Sequence, residues 1–185
     1  MFFRTLLHAL LARMHPRLGH YDVVRTRFTT LPTDLDTLRH MNNGVYLSIM
    51  DVARFDMLRR NGVWTIFSER GWYPVVVSET ISFRKSLTLW QRFTIESRLL
   101  GFDQKAVYVE QRFVRPGADG RPEIYAQAFV RARFLKRSGG VVPIDELMGA
   151  VGPVPEGVEV PEWLLEWGAD VALPATRAEA PSNWE

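Results

Sequence analysis

From Pro32 to Tyr46 the chain reads Pro-Thr-Asp-Leu-Asp-Thr-Leu-Arg-His-Met-Asn-Asn-Gly-Val-Tyr, the densest run of chemically capable groups in the sequence. Asp34 and Asp36 are followed by His40 and by the amides of Asn42 and Asn43, all just ahead of an apolar pattern at helical spacing. A carboxylate can attack a carbonyl or take a proton from water. The unpaired N–H groups at a helix start, helped by the dipole, can receive negative charge that develops on an oxygen. Asn43, Gly44 and Val45 would supply those groups, and Gly44 has no side chain to keep a ligand off the backbone. Each residue also has a structural role open to it. Asp is common just before helices, Asn42 or Asn43 can cap, His40 can shape the loop by hydrogen bonding, and Tyr46 can be core. With no cysteine, a thiol nucleophile, disulfides and thiolate ligands are excluded, and the histidines at 8, 15, 20 and 40 show no metal-ligand pairing.

The elements that must carry these groups follow from periodicity. Tyr46, Ile49, Met50, Ala53, Met57 and Leu58 recur at helical spacing, so a helix is expected over 43–60, stopped by Asn61-Gly62. Val45, Leu47 and Phe55 widen its apolar face, which suggests enclosure by a curved sheet. Strands are expected within 21–31 and over 75–85, 92–101, 105–115 and 124–137. In the last, Ala126, Ala128, Val130, Ala132 and Phe134 alternate with Gln127, Arg131 and Arg133, and the small residues leave room for a helix to approach. Hairpin loops at 101–104 and 116–120 make the strands an antiparallel meander. One helix followed by a run of strands is an α+β pattern.

Length and composition bound the rest. The 185 residues, 46% hydrophobic and 24% charged, suit one globular domain with appendages. The expected division is an N-terminal amphipathic helix over 1–17, a domain over 21–148 and a Pro-rich C-terminal extension over 149–185, in which Trp163, Leu164 and Trp167 can form a docking helical turn. The net charge of +2 gives no reason to expect nucleic acid. Residues 1–15 place Phe2, Phe3, Leu6, Leu7, Leu10 and Leu11 on one stripe with Arg4 and Arg13. The segment falls short of the roughly 20 apolar residues that span a bilayer. It is expected either to pack on the domain or to make peripheral membrane contact, with the protein otherwise cytoplasmic.

The run Asp34-x-Asp36, then His40-Met41-Asn42-Asn43 and Tyr46, resembles the signature of the 4-hydroxybenzoyl-CoA thioesterase-like branch of the hotdog superfamily, and the likeness extends from about Tyr21 to Leu147. The resemblance implies a hotdog fold, an antiparallel sheet wrapped around a long central helix. It also implies a homodimer, or a dimer of dimers, with joined sheets. The implied activity is hydrolysis of an acyl-CoA or acyl carrier protein thioester, with Asp36 as nucleophile or general base and His40, Asn43 and Gly44 completing the catalytic set. Asn42, Val45 and Tyr46 are the accompanying substrate-binding candidates, and apart from the resemblance Arg84 and Lys85, with Arg131 and Arg133, are basic strand residues that can meet CoA phosphates or simply be solvated. No metal or cofactor is implied, CoA entering only as part of the substrate.

The alternative is a non-catalytic acyl-thioester or lipid binder at a membrane surface. Hydratases and dehydratases of this superfamily use a His with a separate acid in motifs that this sequence lacks. Asp51 stands where the family often has an acid, and an Asp51–Arg54 pair is its structural reading. Glu79 is expected at a dimer interface. Arg39 stands where many members have Gly, a departure that bears on the pocket mouth.

Overall fold

The computed structural model describes Arg4, residues 16–175 and residues 177–179. The expected N-terminal helix, with its membrane contact, therefore lies outside the described residues except for Arg4 and the non-helical Pro16–Arg17, as does the end of the C-terminal extension.

The chain is α+β. Strand β1 (Val24–Thr29) leads through a 3-10 turn (Pro32–Asp34) to the 18-residue helix α1 (Asn43–Arg60) and then to α2 (Val63–Arg70). Strands β2 (Trp72–Phe83), β3 (Arg92–Phe102), β4 (Val107–Pro116) and β5 (Pro122–Lys136) follow, then helices α3 (Ile144–Val151) and α4 (Glu162–Asp170). The five strands form one sheet in the order β1-β3-β4-β5-β2, with every pairing antiparallel.

This order dictates where α1 lies. β1 and β2 occupy opposite edges, so the segment joining them must cross the sheet. Five strands spaced by roughly 4.8 Å put the edges about 19 Å apart, and 18 helical residues reach about 27 Å. Tyr46, Ile49, Met50, Val52, Ala53 and Met57 of α1 share one buried cluster with Phe93, Ile95, Val109, Phe113, Ala126, Ala128 and Val130 of the sheet. Ala126 and Ala128 are fully buried, and Ala126 sits opposite Phe113 in the β4–β5 register, so the small residues of β5 accommodate neighbouring bulk. Farther along β5, Ala132 and Phe134 join a second cluster with Val63 and Phe67 of α2 and Leu147 and Val151 of α3.

Two elements escape the periodic reading. α2 is short and rich in residues favouring strands, and it is framed by Gly62 (φ 78°) and Gly71 (φ 66°), whose left-handed conformations turn the chain into and out of it. α3 starts behind Pro143 with Asp145 and Glu146 in its first turn and runs across the boundary expected at 148. α4 packs by Leu164 against Leu100 and Tyr108. Tyr108 alternates with the inward-facing Val107 and Val109, so α4 packs on the sheet face opposite α1. No helix among the described residues is long and apolar enough to cross a membrane.

Candidate functional site

The chain enters the site through the 3-10 turn, where Asp34 is only 3% exposed. Its carboxylate accepts the Leu31 N–H at 2.7 Å and the guanidinium of Arg4 at 3.0 and 2.6 Å. Asp34 is thus fully engaged in structure. Two residues on, the chain folds back tightly. The Asp36 N–H donates to the His40 carbonyl at 2.8 Å, and Asp36 Oδ1 accepts the N–H groups of Leu38 at 2.8 Å and His40 at 3.2 Å. The turn passes through Arg39 at φ 62°, a left-handed residue. That conformation gives a physical reason for glycine at this place.

Asp36 therefore divides its two oxygens. Oδ1 holds the loop, while Oδ2 has no hydrogen-bond partner among the described residues and stays available. His40 is exposed, and its backbone bridges Thr88, which ties the loop to the segment after β2. The Met41 N–H donates to the Leu87 carbonyl at 2.8 Å alongside.

Asn42 caps α1: its side chain accepts the Gly44 N–H at 2.9 Å, and its carbonyl accepts the Val45 N–H at 2.9 Å. This corrects the reading in which Asn43, Gly44 and Val45 offer three open N–H groups. The cap takes two of them, leaving Asn43 as the donor of that set with no acceptor among the described residues. Gly44 has its own steric reason, because a Cβ there would lie 3.3 Å from the Asn42 side-chain oxygen. Tyr46 is buried, with its ring 5.0 Å from Phe83 and 4.9 Å from Phe113, and its hydroxyl accepts the Leu87 N–H at 3.3 Å. Burial pushes its phenol above the usual range, against the smaller opposing pull of that N–H.

A cavity of about 270 Å³ is lined by Asp36, His40, Asn43 and Tyr46 together with Arg84 and Lys85, which directly follow β2. Asn42, Gly44 and Val45 are not among its lining residues; Phe83 and Ser86, which lie outside the Asp34–Tyr46 run and had no site role assigned from sequence, are. Lys85 is partly committed, reaching Glu123 at 2.6 Å.

Farther along α1, Arg54 pairs with Asp51 and donates to Gln111 at 2.6 Å. The fully buried Gln111 in turn donates to the Met50 carbonyl at 3.1 Å and to Ser97 at 2.9 Å. Glu79 of the edge strand β2 lies 3.8 Å from Arg54. Burial raises its carboxyl above the usual value, and Arg54 offsets part of that rise.

Residues 30–168 match the family described as the thioesterase-like superfamily. Protein THEM6 of Xenopus laevis is 36% identical over 171 residues, covering 90% of this chain and 77% of that protein. YbaW, a probable thioesterase from Escherichia coli, has a TM-score of 0.60 at 22% identity over 69% of this chain and 98% of its own. The DHNA-CoA thioesterase of Staphylococcus aureus has a TM-score of 0.59 at 12% identity over 80% of this chain and 90% of its own. At such identities these two structures bear on fold alone. The family match and the THEM6 relative each span well over half of the sequence, and on that ground the chain belongs to the thioesterase-like superfamily.

Proposed function

We propose that this chain hydrolyses an acyl-CoA, or an acyl carrier protein conjugate, to free acid and thiol, with Asp36 carrying the chemistry at the N-terminus of α1. One observation carries the reading: among the described residues Asp36 Oδ2 has no hydrogen-bond partner, and it shares a cavity with the start of α1, where the Asn43 N–H is likewise open. Superfamily membership supports thioester hydrolysis as the general reaction.

Two routes use the same groups. In direct attack, Asp36 Oδ2 bonds to the thioester carbon, the C–S bond breaks to release thiolate, and water then opens the mixed anhydride and restores the carboxylate. In general-base catalysis, Asp36 takes a proton from water as the water oxygen bonds to that carbon, and the proton passes to the departing sulfur. Either route puts negative charge on the carbonyl oxygen, which the Asn43 N–H and the helix dipole stabilise. A thiolate is a stable leaving group near neutral pH, so no resident metal or cofactor is needed. His40 and Tyr46 shape the pocket, and Arg84 and Lys85 provide positive charge for the CoA phosphates.

The test is a thiol-release assay across acyl-CoA chain lengths, run beside Asp36→Asn. Asparagine keeps a side-chain oxygen for the Leu38 and His40 N–H groups, so the loop and the melting temperature should hold. Turnover should fall by about 10²-fold or more. Wild-type turnover in that variant would refute the role of Asp36. Acyl-CoA binding without thiol release in the native chain would favour the non-catalytic binder.

A further inference from the structure

Asp34, the first acid of the Asp-x-Asp pair, takes no part in the chemistry above, yet its side chain is only 4% exposed. A carboxylate this buried must be paired, because an uncompensated buried charge is strongly destabilising. Its partner comes from the opposite end of the local chain. Arg4 Nη1 donates to Asp34 Oδ1 at 3.0 Å and Arg4 Nη2 to Oδ2 at 2.6 Å, a two-pronged arrangement matched to carboxylate geometry. Nη2 also donates to the Thr29 carbonyl at 2.9 Å, at the end of β1.

Asp34 stands at the base of the loop that carries Asp36. Its N–H donates to the Leu31 carbonyl at 3.0 Å, and its own carbonyl accepts the Asn42 N–H at 2.8 Å. Asp34 and Asn42 are therefore hydrogen-bonded across the neck of the loop. Asp36 and His40 project from the loop, and the capped start of α1 follows directly. A shift of Asp34 would move Asp36 relative to the Asn43 N–H, the two groups that must meet at one carbonyl.

We infer that Arg4 is a positioning residue: it clamps Asp34 and so holds the neck of the Asp36 loop in register with the start of α1. Arg4 touches no reacting atom, and the kinetic part of the inference rests on the thioesterase reading.

The experiment uses the full-length chain as wild type, Arg4→Ala and Arg4→Lys. Two quantities are measured: kcat and KM for butyryl-CoA, and amide hydrogen exchange over residues 33–45. Arg4→Ala should lower kcat by about tenfold or more, as small misplacements of catalytic groups do. KM should change far less. Exchange should speed up at Leu38, His40 and Asn42, whose N–H groups close the loop and its neck, while α2 and β5 stay protected. Arg4→Lys keeps the charge without the fork and should recover part of both signals. If Arg4→Ala fails to fold, Arg4→Lys against wild type carries the same comparison. Unchanged exchange at those three amides would overturn the inference, as would unchanged kcat in a folded variant, even with a lower melting temperature. If the wild-type chain releases no thiol from any acyl-CoA, the thioesterase reading fails while the exchange data still decide whether the clamp exists.

Discussion

Arg39 shows how one backbone angle can matter at the site. At φ 62° it occupies the left-handed region, which costs a non-glycine residue on the order of 1–2 kcal/mol. The strain is tolerated because the Arg39 N–H donates to the Asp36 carbonyl at 3.0 Å inside a turn closed by three further hydrogen bonds to Asp36 and His40. Glycine would remove the strain but add unfolded-chain entropy, worth roughly 0.5–1 kcal/mol. Arg39→Gly should therefore leave stability unchanged or raise it by up to about 1.5 kcal/mol, with turnover retained. Arg39→Val, whose branched Cβ tolerates this region poorly, should lower stability. Denaturant midpoints read both, and a clear loss in Arg39→Gly would mean that the arginine side chain itself supports the loop.

Helix α4 has an unusually close fit to the outer sheet face. A Cβ at Gly168 would lie 2.2 Å from the Tyr108 hydroxyl, so only glycine permits this approach. That hydroxyl donates to Asp103 at 2.9 Å and accepts from Arg131 Nε at 2.9 Å, and Arg131 Nη2 reaches Asp103 at 2.8 Å. Gly168→Ala should push α4 outward and cost about 1–3 kcal/mol. Trp163 and Trp167 fluorescence would report the movement, and unchanged fluorescence with an unchanged melt would refute it. The same network sets a pH dependence. Burial alone would raise the Asp103 carboxyl, but the Lys105 N–H, Arg131 and Tyr108 outweigh it and hold it below its ordinary 3.8. A depressed carboxyl contributes stability that is fully present above the unfolded value and lost as pH falls through the folded one. The melting-temperature gap between wild type and Asp103→Asn should thus be full at neutral pH and close as the pH drops below about 3.8.

At the scale of the whole molecule, β2 is a 12-residue edge strand on which Val76, Val77 and Phe83 are 44%, 41% and 45% exposed. A long apolar edge invites pairing with another chain. Phe83 also lines the candidate cavity, and Asn42, Asn43 and Gly44 beside it are exposed. We propose a twofold dimer through β2 that covers this side of the site. Val77→Asp should then shift the mass measured by light scattering from dimer to monomer and reduce turnover together. A wild-type monomer with full activity at micromolar concentration would sink the proposal.

Much of this architecture was legible in local sequence because its signals are local. The apolar spacing from Tyr46 to Leu58 with the Asn61-Gly62 stop marks α1, and the alternation from Ala126 to Phe134 marks β5, since each follows from the period of a single element. The grouping of Asp36, His40, Asn43 and Tyr46 was legible for the same reason: all sit within one loop-to-helix junction. α2 was not, because eight residues hold too few turns for a period to show. The arrival of Arg84 and Lys85 at that cavity depended on β2 pairing with β5 at the sheet edge; in the sequence they stood only as basic residues, with solvation as readily as CoA phosphate for a role. Only the tertiary structure decided that Arg4 meets Asp34, that Tyr108 lies under Gly168, and that the cap on Asn42 leaves Asn43 as the open donor. The first two pairings join residues far apart in the chain, whose meeting is set by strand order and packing. The third turns on which acceptor reaches an N–H first, which depends on three-dimensional geometry and not on residue type.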